Sequence, residues 1–439
     1  MRLPDNESIL SAEDPPLASS IDISVPPLAV EENSSSGRPS TLALALSVAI
    51  VSIGYLVDVY DLWLFALYRP EILLSIGIEA QDQLSAGLSI FNWQMCGLLA
   101  GGFLFGWLGD RYGRRTGLLL SIGTYGIATL LTASATSLTS FAALRFVSCL
   151  GIAGELGLGA ALVQELLPAR HRWTGSLSLV FIGLSGALIA CFCHEYFSWT
   201  SAFILGGGAG ILLLFMRRLI IDSSKQPPSP IPSLLFTFLV HKAVRRRLLA
   251  FVLIGLPLIS LFSLVTGFTP ELSAALGLSP VISSAEVLIP MQLAYVGGDA
   301  LASGLSHLVG SRKRIISLFL CISAGGLFGL CLDSVPTTTS FLVWSALLGL
   351  GSGFWILFLT SCIESFGQNL RGRAASVLPN LVRASPLCIF LAFGWLTPFL
   401  GIPYSILVLG SVTLLGAAWG LNSIDECFGR SLDFEEPNL

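Results

Sequence analysis

The sequence predicts an all-α polytopic membrane protein with about twelve transmembrane helices in two pseudo-symmetric six-helix bundles. Three observations carry this expectation. Of 439 residues, 54% are hydrophobic and 11% charged, against about 25% charged in a soluble domain. The apolar residues gather into about twelve runs, each near the ~20 residues that cross a bilayer core. Motifs also recur at a nearly constant shift: Gly113 and Gly310 lie 197 apart, Gly151 and Gly349 198, Glu165 and Glu364 199. Such a shift marks an internal repeat of half the chain.

In chain order, residues 1–40 hold seven acids and many prolines and serines without helical period. They read as a disordered cytoplasmic tail, without the basic start and short apolar core of a signal peptide. The first bundle, 41–221, holds apolar runs at 41–67, 84–108, 116–135, 139–167, 174–193 and 201–221. Residues 222–247 carry Pro227, Pro228, Pro230 and Pro232, end in three arginines, and read as a cytoplasmic linker. The second bundle, 248–421, holds runs at 248–268, 283–309, 315–332, 340–366, 374–399 and 402–421, followed by a cytoplasmic tail, 422–439. With both termini cytoplasmic, 20 of the 23 Lys and Arg fall on the cytoplasmic side, the bias of a plasma or bacterial inner membrane protein. The exceptions are Arg69, expected at the end of span 1, and Arg145 and Arg383, inside spans. All nine cysteines except Cys427 lie in apolar runs, with neither disulfide nor metal-ligand spacing.

The chain is organised around Gly106-Trp107-Leu108-Gly109-Asp110-Arg111-Tyr112-Gly113-Arg114-Arg115, a tight charged turn between two apolar runs. It resembles the signature loop between helices 2 and 3 of the major facilitator superfamily of secondary transporters. The resemblance implies the major facilitator fold and a gating role for Gly106, Asp110, Arg111, Gly113, Arg114 and Arg115. Glu165 and Arg172 leave span 4 at the spacing with which Glu364 and Arg371 leave span 10, so these four join the gating set. In the second copy of the loop, His307 and Leu308 replace the Asp110-Arg111 pair.

Span 4 opens with Arg145 and reaches Glu155 through Gly151 and Gly154. This resembles the R-F-x-x-G-x-G-x-G-G-E pattern of sugar and metabolite/proton symporters, with Cys149 and Ala153 at glycine positions. Asp58 and Asp61 in span 1 share one helical face, and their spacing resembles the D-G-x-D of aromatic-acid/proton symporters, with Val59 for glycine. At ~1.5 Å per residue, Asp61 lies roughly 12 Å and Arg145 roughly 10 Å from the outer surface, a depth at which they meet. Proton coupling is therefore expected of Asp58, Asp61, Arg145 and Glu155, with Asp61 as the main acceptor. Asn92 and Gln94 sit mid-span 2, and Asp299 towards the inner end of span 8. Arg383, between Pro379 and Pro386, falls near the bilayer middle and needs a counter-charge. A carboxylate or similar anion would supply it, with Asn380 on the same face adding an amide; the rival is a permanent pair with Glu155. Trp63, Trp93, Trp344 and Trp355 are expected to line the cavity or to pack against lipid or other helices.

The resemblance implies alternating access about a midplane site. The expected function is proton-coupled symport of a small polar or anionic metabolite. Alternatives are a proton-driven exporter of drugs or metabolites, or a transporter-like sensor that moves nothing. There is no Ser/His/Asp constellation, metal cluster or nucleotide-binding domain, so neither an enzyme nor an ATP-driven pump is expected. No cofactor and no nucleic acid are expected. The partners are a small-molecule substrate, protons and the lipid bilayer, and the chain is expected to act as a monomer.

Overall fold

A computed structural model describes residues 41–167, 172–217 and 241–429, within one compact unit, Ser40–Leu439. The described residues form helices α1 (Thr41–Ser75), α2 (Gln83–Tyr112), α3 (Arg114–Thr132), α4 (Leu138–Leu166), α5 (Arg172–Tyr196) and α6 (Trp199–Met216). They continue with α7 (Lys242–Gly267), α8 (Thr269–Ala275), α9 (Ser284–Val309), α10 (Arg312–Leu332) and α11 (Thr338–Ser352). The last four are α12 (Trp355–Ser365), α13 (Gln368–Ala384), α14 (Pro386–Leu400) and α15 (Ile402–Asn422).

Ten helical segments among the described residues are long and apolar enough to cross a membrane. Helices α3 and α9 fall short on apolarity alone, because Gly117, Ser121, Thr124 and Thr129 dilute one, and Gln292, Asp299 and His307 the other. At 19 and 26 residues they are about 28 and 39 Å long, enough for a crossing. The expected twelve crossings are thus accounted for. Phe215, Trp395, Phe399 and Leu415 are exposed, which suits a molecule whose outer solvent is lipid.

Helix starts follow local chemistry. Ser137, Ser283 and Thr337 each accept from a backbone N–H three residues on, and the residue at that position reaches back. These reciprocal bonds satisfy donors the first turn leaves open. Gly113 joins α2 to α3 at φ 94°, a conformation costly for any residue with a Cβ. Gly101 lets α2 lie on α4: a Cβ there would stand 2.0 Å from the Leu150 carbonyl oxygen. Within the first half α2 packs on α4, α1 on α5, and α3 on α4 and α6; within the second, α7 on α15, α10 on α11, and α9 on α11. The halves meet where α2 and α4 run along α13, α2 along α14, and α5 along α9.

Four boundaries differ from expectation. Helix α1 runs on to Ser75, because Arg69 turns inward instead of marking the surface. Span 10 breaks between α11 and α12, where Asp299 Oδ1 accepts from the Ile356 N–H at 2.8 Å and caps the new helix. Span 11 breaks at Ser385: Pro386 has no N–H, and the Ser385 N–H and hydroxyl both donate to the Val382 carbonyl. Helix α7 begins at Lys242 and takes up the three arginines assigned to the linker, while residues 222–240 lie outside the described residues.

Candidate functional site

Between the halves lies a cavity of about 130 Å³, lined by residues of both. From the first half come Tyr55, Val59, Trp63, Phe91, Gln94 and Leu98; from the second Phe262, Gln292, Tyr295, Trp355, Arg383 and Phe390, among others. The aromatic rings touch each other across the division. Trp63 lies 5.5 Å from Phe262, and Phe91 5.2 Å from Phe390, between ring centroids. Gln292 also crosses it, its Nε2 donating to the Leu184 carbonyl at 3.1 Å.

Arg383 is 7% exposed. Among the described residues neither of its terminal nitrogens has a hydrogen-bond partner. Its guanidinium stands over the Tyr55 ring, 5.9 Å from the centroid. A buried guanidinium left without an acceptor is costly, and this one faces a cavity walled by aromatic rings. Glu155 does not pair with it. That carboxylate instead takes Arg217, with Ser121 as a second donor.

Asp61 and Arg145 do meet, and both are fully buried. Arg145 Nη1 donates to Asp61 Oδ2 at 2.8 Å, and Nη2 to the Asp61 carbonyl at 2.9 Å. Ser148 donates to the same carboxylate at 2.9 Å and Thr129 at 3.0 Å. Gln94 turns its amide oxygen to Arg145, accepting from Nε at 3.1 Å and Nη2 at 2.8 Å, the only orientation that suits a group made solely of donors. Asp61 is thus fully provided for. Asp58, one turn away and also fully buried, has no hydrogen-bond partner for either oxygen among the described residues.

The other expected substrate residues divide. Gln94 lines the cavity; Asn92 and Asn380 do not. Asn380 packs against Gly102 of α2, where an added Cβ would stand 3.0 Å from its own. Asn380 lies on the same unbroken helix as Arg383 but meets α2 at Gly102, so it serves the contact between halves. Trp63 and Trp355 reach the cavity, whereas Trp93 is half exposed and Trp344 packs on Gly329. Tyr55, Gln292 and Tyr295 line the cavity without having been anticipated as site residues. A polar residue inside an apolar span was the available signal for Gln292.

At the signature loop, Arg111 stacks on Trp107 and Tyr112 at 5.5 and 5.7 Å. Gly106 faces open space; the close approach is one turn on, where a Cβ on Gly117 would stand 3.2 Å from the Gly109 Cα. Arg114 lies beside that contact, and Arg115 in the first turn of α3. The side chains of Asp110, Glu165, Arg172 and Arg371 lie outside the described residues. Glu364 binds Arg312 through a fork, Nη2 to Oε1 at 2.8 Å and Nε to Oε2 at 3.1 Å.

With twelve crossings, a central cavity and charges buried between helices, the architecture is that of a polytopic helical membrane protein. Residues 51–378 match the Major Facilitator Superfamily, and the chain belongs to it as an integral membrane protein. It is 25% identical over 365 residues to the niacin transporter NiaP of Acinetobacter baylyi, covering 74% of this chain and 81% of that one. To a putative niacin/nicotinamide transporter of Bacillus subtilis it is 27% identical over 193 residues, 43% of this chain; there it spans 47% of the relative's length. The fold is similar to the crystal structure of a D-xylose-proton symporter, with a TM-score of 0.68 at 17% identity, over 88% of this chain and 99% of that one.

Proposed function

We propose that this protein is a proton-coupled symporter of a small planar carboxylate, an aromatic or heteroaromatic acid, working by alternating access. The observation that carries the reading is Arg383: a buried guanidinium with both terminal nitrogens unbonded among the described residues, on the wall of an aromatic-lined cavity. A guanidinium fork matches a carboxylate, and the rings of Trp63, Phe91, Phe262 and Phe390 offer faces and edges to a planar ring. A cavity near this size, lined by apolar groups, accepts about one aromatic ring. Gln94 and Gln292 add polar contacts at its edge. The similarity to niacin transporters supports the same class, since niacin is a pyridine carboxylate. The acids of span 1 supply the proton-binding chemistry. The bundles 41–221 and 248–421 would rock about the cavity, with both termini on the cytoplasmic side, as the basic loops suggest.

The test is uptake of a panel of carboxylates by proteoliposomes under an imposed pH gradient, with binding to purified protein read as thermal stabilisation. Nicotinate, benzoate or a ring-substituted relative accumulates against its gradient, and the matching amides do not. Arg383→Lys keeps the charge but loses the fork, worth about 1.5–3 kcal/mol for hydrogen bonds to a charged group. Its affinity for the carboxylate falls roughly tenfold to a hundredfold. Equal stabilisation by acid and amide, or unchanged affinity in Arg383→Lys, refutes the anion site.

A further inference from the structure

We propose that Asp58, and not Asp61, carries the coupled proton, because the bound anion displaces Asp58 as the counter-charge of Arg383. This inference rests on the symport reading and assigns its coupling site and stoichiometry.

The argument begins with what each acid already has. Protonating Asp61 would strip Arg145 of its counter-charge in a fully buried place and break the bonds from Ser148 and Thr129, and a buried charge left alone is strongly destabilising. Glu155 is committed to Arg217 in the same way. Asp58 has no donor to lose among the described residues. It sits one turn beyond Gly54, against which the Glu155–Arg217 pair rests, and one turn before Asp61.

The charges acting on Asp58 are Glu155 of α4, Arg383 of α13, Arg217 of α6 and Asp61 of α1. From α3 the unbonded hydroxyl of Tyr125 faces the same group of charges. Arg145 belongs to the group through Asp61. In the first half, then, Asp58, Asp61 and Glu155 stand against Arg145 and Arg217, an excess of one negative charge when all are ionised. Arg383 offsets that charge from across the Tyr55 ring, and Tyr55 lies three residues from Asp58 on the same helical face. The sum is taken over these six groups; the buried Asp299 of α9, which caps α12 through the Ile356 N–H, acts on Tyr55 from the second half.

A monovalent anion bound to Arg383 changes the sum. Arg383 is then neutralised by its ligand, and an ionised Asp58 leaves one uncompensated charge in a low-dielectric interior. One proton, taken from the aqueous phase the anion came from onto an Asp58 oxygen, returns the sum to zero. Release on the other side reverses both steps: the anion leaves Arg383, the proton leaves Asp58, and the two side chains again balance one another. The cycle moves one anion and one proton, with no net charge.

The test uses the full chain in detergent and in proteoliposomes, with nicotinate and benzoate as probes. Wild-type protein takes up close to one proton per anion bound, read with a pH indicator. Its affinity weakens by up to about tenfold per pH unit on the alkaline side, the limit for one linked proton. Accumulation follows the pH gradient and ignores an imposed membrane potential. Asp58→Asn binds the probes without proton uptake, with a flat pH profile, and catalyses exchange without pH-driven accumulation. Asp58→Glu, which keeps a titratable carboxyl, restores proton uptake and slope. Proton uptake that survives in Asp58→Asn, or accumulation driven by potential, overturns this inference while leaving the symport reading standing. A wild-type protein that binds neither probe at any pH overturns both.

Discussion

Asp58 and Asp61 stand less than a turn apart on α1 and live in opposite conditions. Asp61 accepts from a guanidinium and two hydroxyls; Asp58 accepts from nothing among the described residues. The difference is tertiary, since both are fully buried and neither has a better local neighbour in sequence. Removing Arg145 therefore has a defined cost. Arg145→Ala leaves Asp61 buried without its counter-charge and lowers stability by about 3–5 kcal/mol, read as a drop in apparent Tm in detergent. The double change with Asp61→Ala recovers part of that loss. A double mutant no more stable than Arg145→Ala shows that the pair is not the source of the effect. Helix rise alone was enough to anticipate that Asp61 and Arg145 share a depth. Nothing local foretold that Arg217, a loop arginine by position, would turn inward to Glu155.

At the scale of elements, the segment after α15 performs a task its reading as a cytoplasmic tail did not suggest. Glu426 accepts from the Ser311 hydroxyl, and from the N–H groups of Arg312 at 3.0 Å and Lys313 at 3.3 Å, at the start of α10. Lys313 Nζ in return donates to the Ile424 carbonyl at 2.8 Å. Where the repeat lost its loop acid to His307 and Leu308, a carboxylate from elsewhere caps the helix. Burial pushes the Glu426 carboxyl up, but the Ser311 hydroxyl and the backbone donors outweigh it and hold it below the usual value of 4.5. Its contribution is thus complete above that value and fades as pH falls through the lowered one. Glu426→Gln weakens the cap by about 1 kcal/mol, and amide exchange at the first turn of α10 rises at neutral pH. In the wild type the protection of those amides, relative to their intrinsic exchange rate, falls only in acid. Unchanged protection in the variant would show that the cap contributes nothing.

For the whole molecule, the rings over the cavity lead to an ion pair between the halves. Phe91 touches Phe268 at 5.5 Å, Phe268 touches Phe393 at 5.2 Å, and the Arg69 guanidinium lies 5.2 Å over Phe268. Arg69 Nη2 donates to Glu271 Oε2 of α8 at 2.5 Å. Arg69 is buried, and Glu271 is partly open to solvent. This layer borders the cavity through Phe91, and a closing role on the Arg69 side is a prediction. If it closes the cavity, Glu271→Gln weakens that closure by removing a charge from a pair that joins the two halves. In a background without the native cysteines, Ser263→Cys on the cavity wall then reacts faster with an impermeant maleimide from the Arg69 side, by several-fold. An equal or slower rate would remove Arg69–Glu271 from the gate.

The number of crossings, the repeat and the shared level of Asp61 and Arg145 were already determined by the sequence. Each is a one-dimensional property: hydropathy is set by composition over ~20 residues, and depth by counting along a helix of fixed rise. Partners are not one-dimensional. That Glu155 takes Arg217 and leaves Arg383 to the cavity, that Asn380 faces Gly102, and that Glu364 takes Arg312 depend on helix rotation and, for Glu364, on the break at Phe354. Those are decided by packing between segments far apart in the chain. The tertiary structure alone therefore separated Asp61, held by a guanidinium and two hydroxyls, from Asp58, which has no hydrogen-bond partner among the described residues. A charge buried among helices is defined by what approaches it in space, and its neighbours in sequence all lie on its own helix.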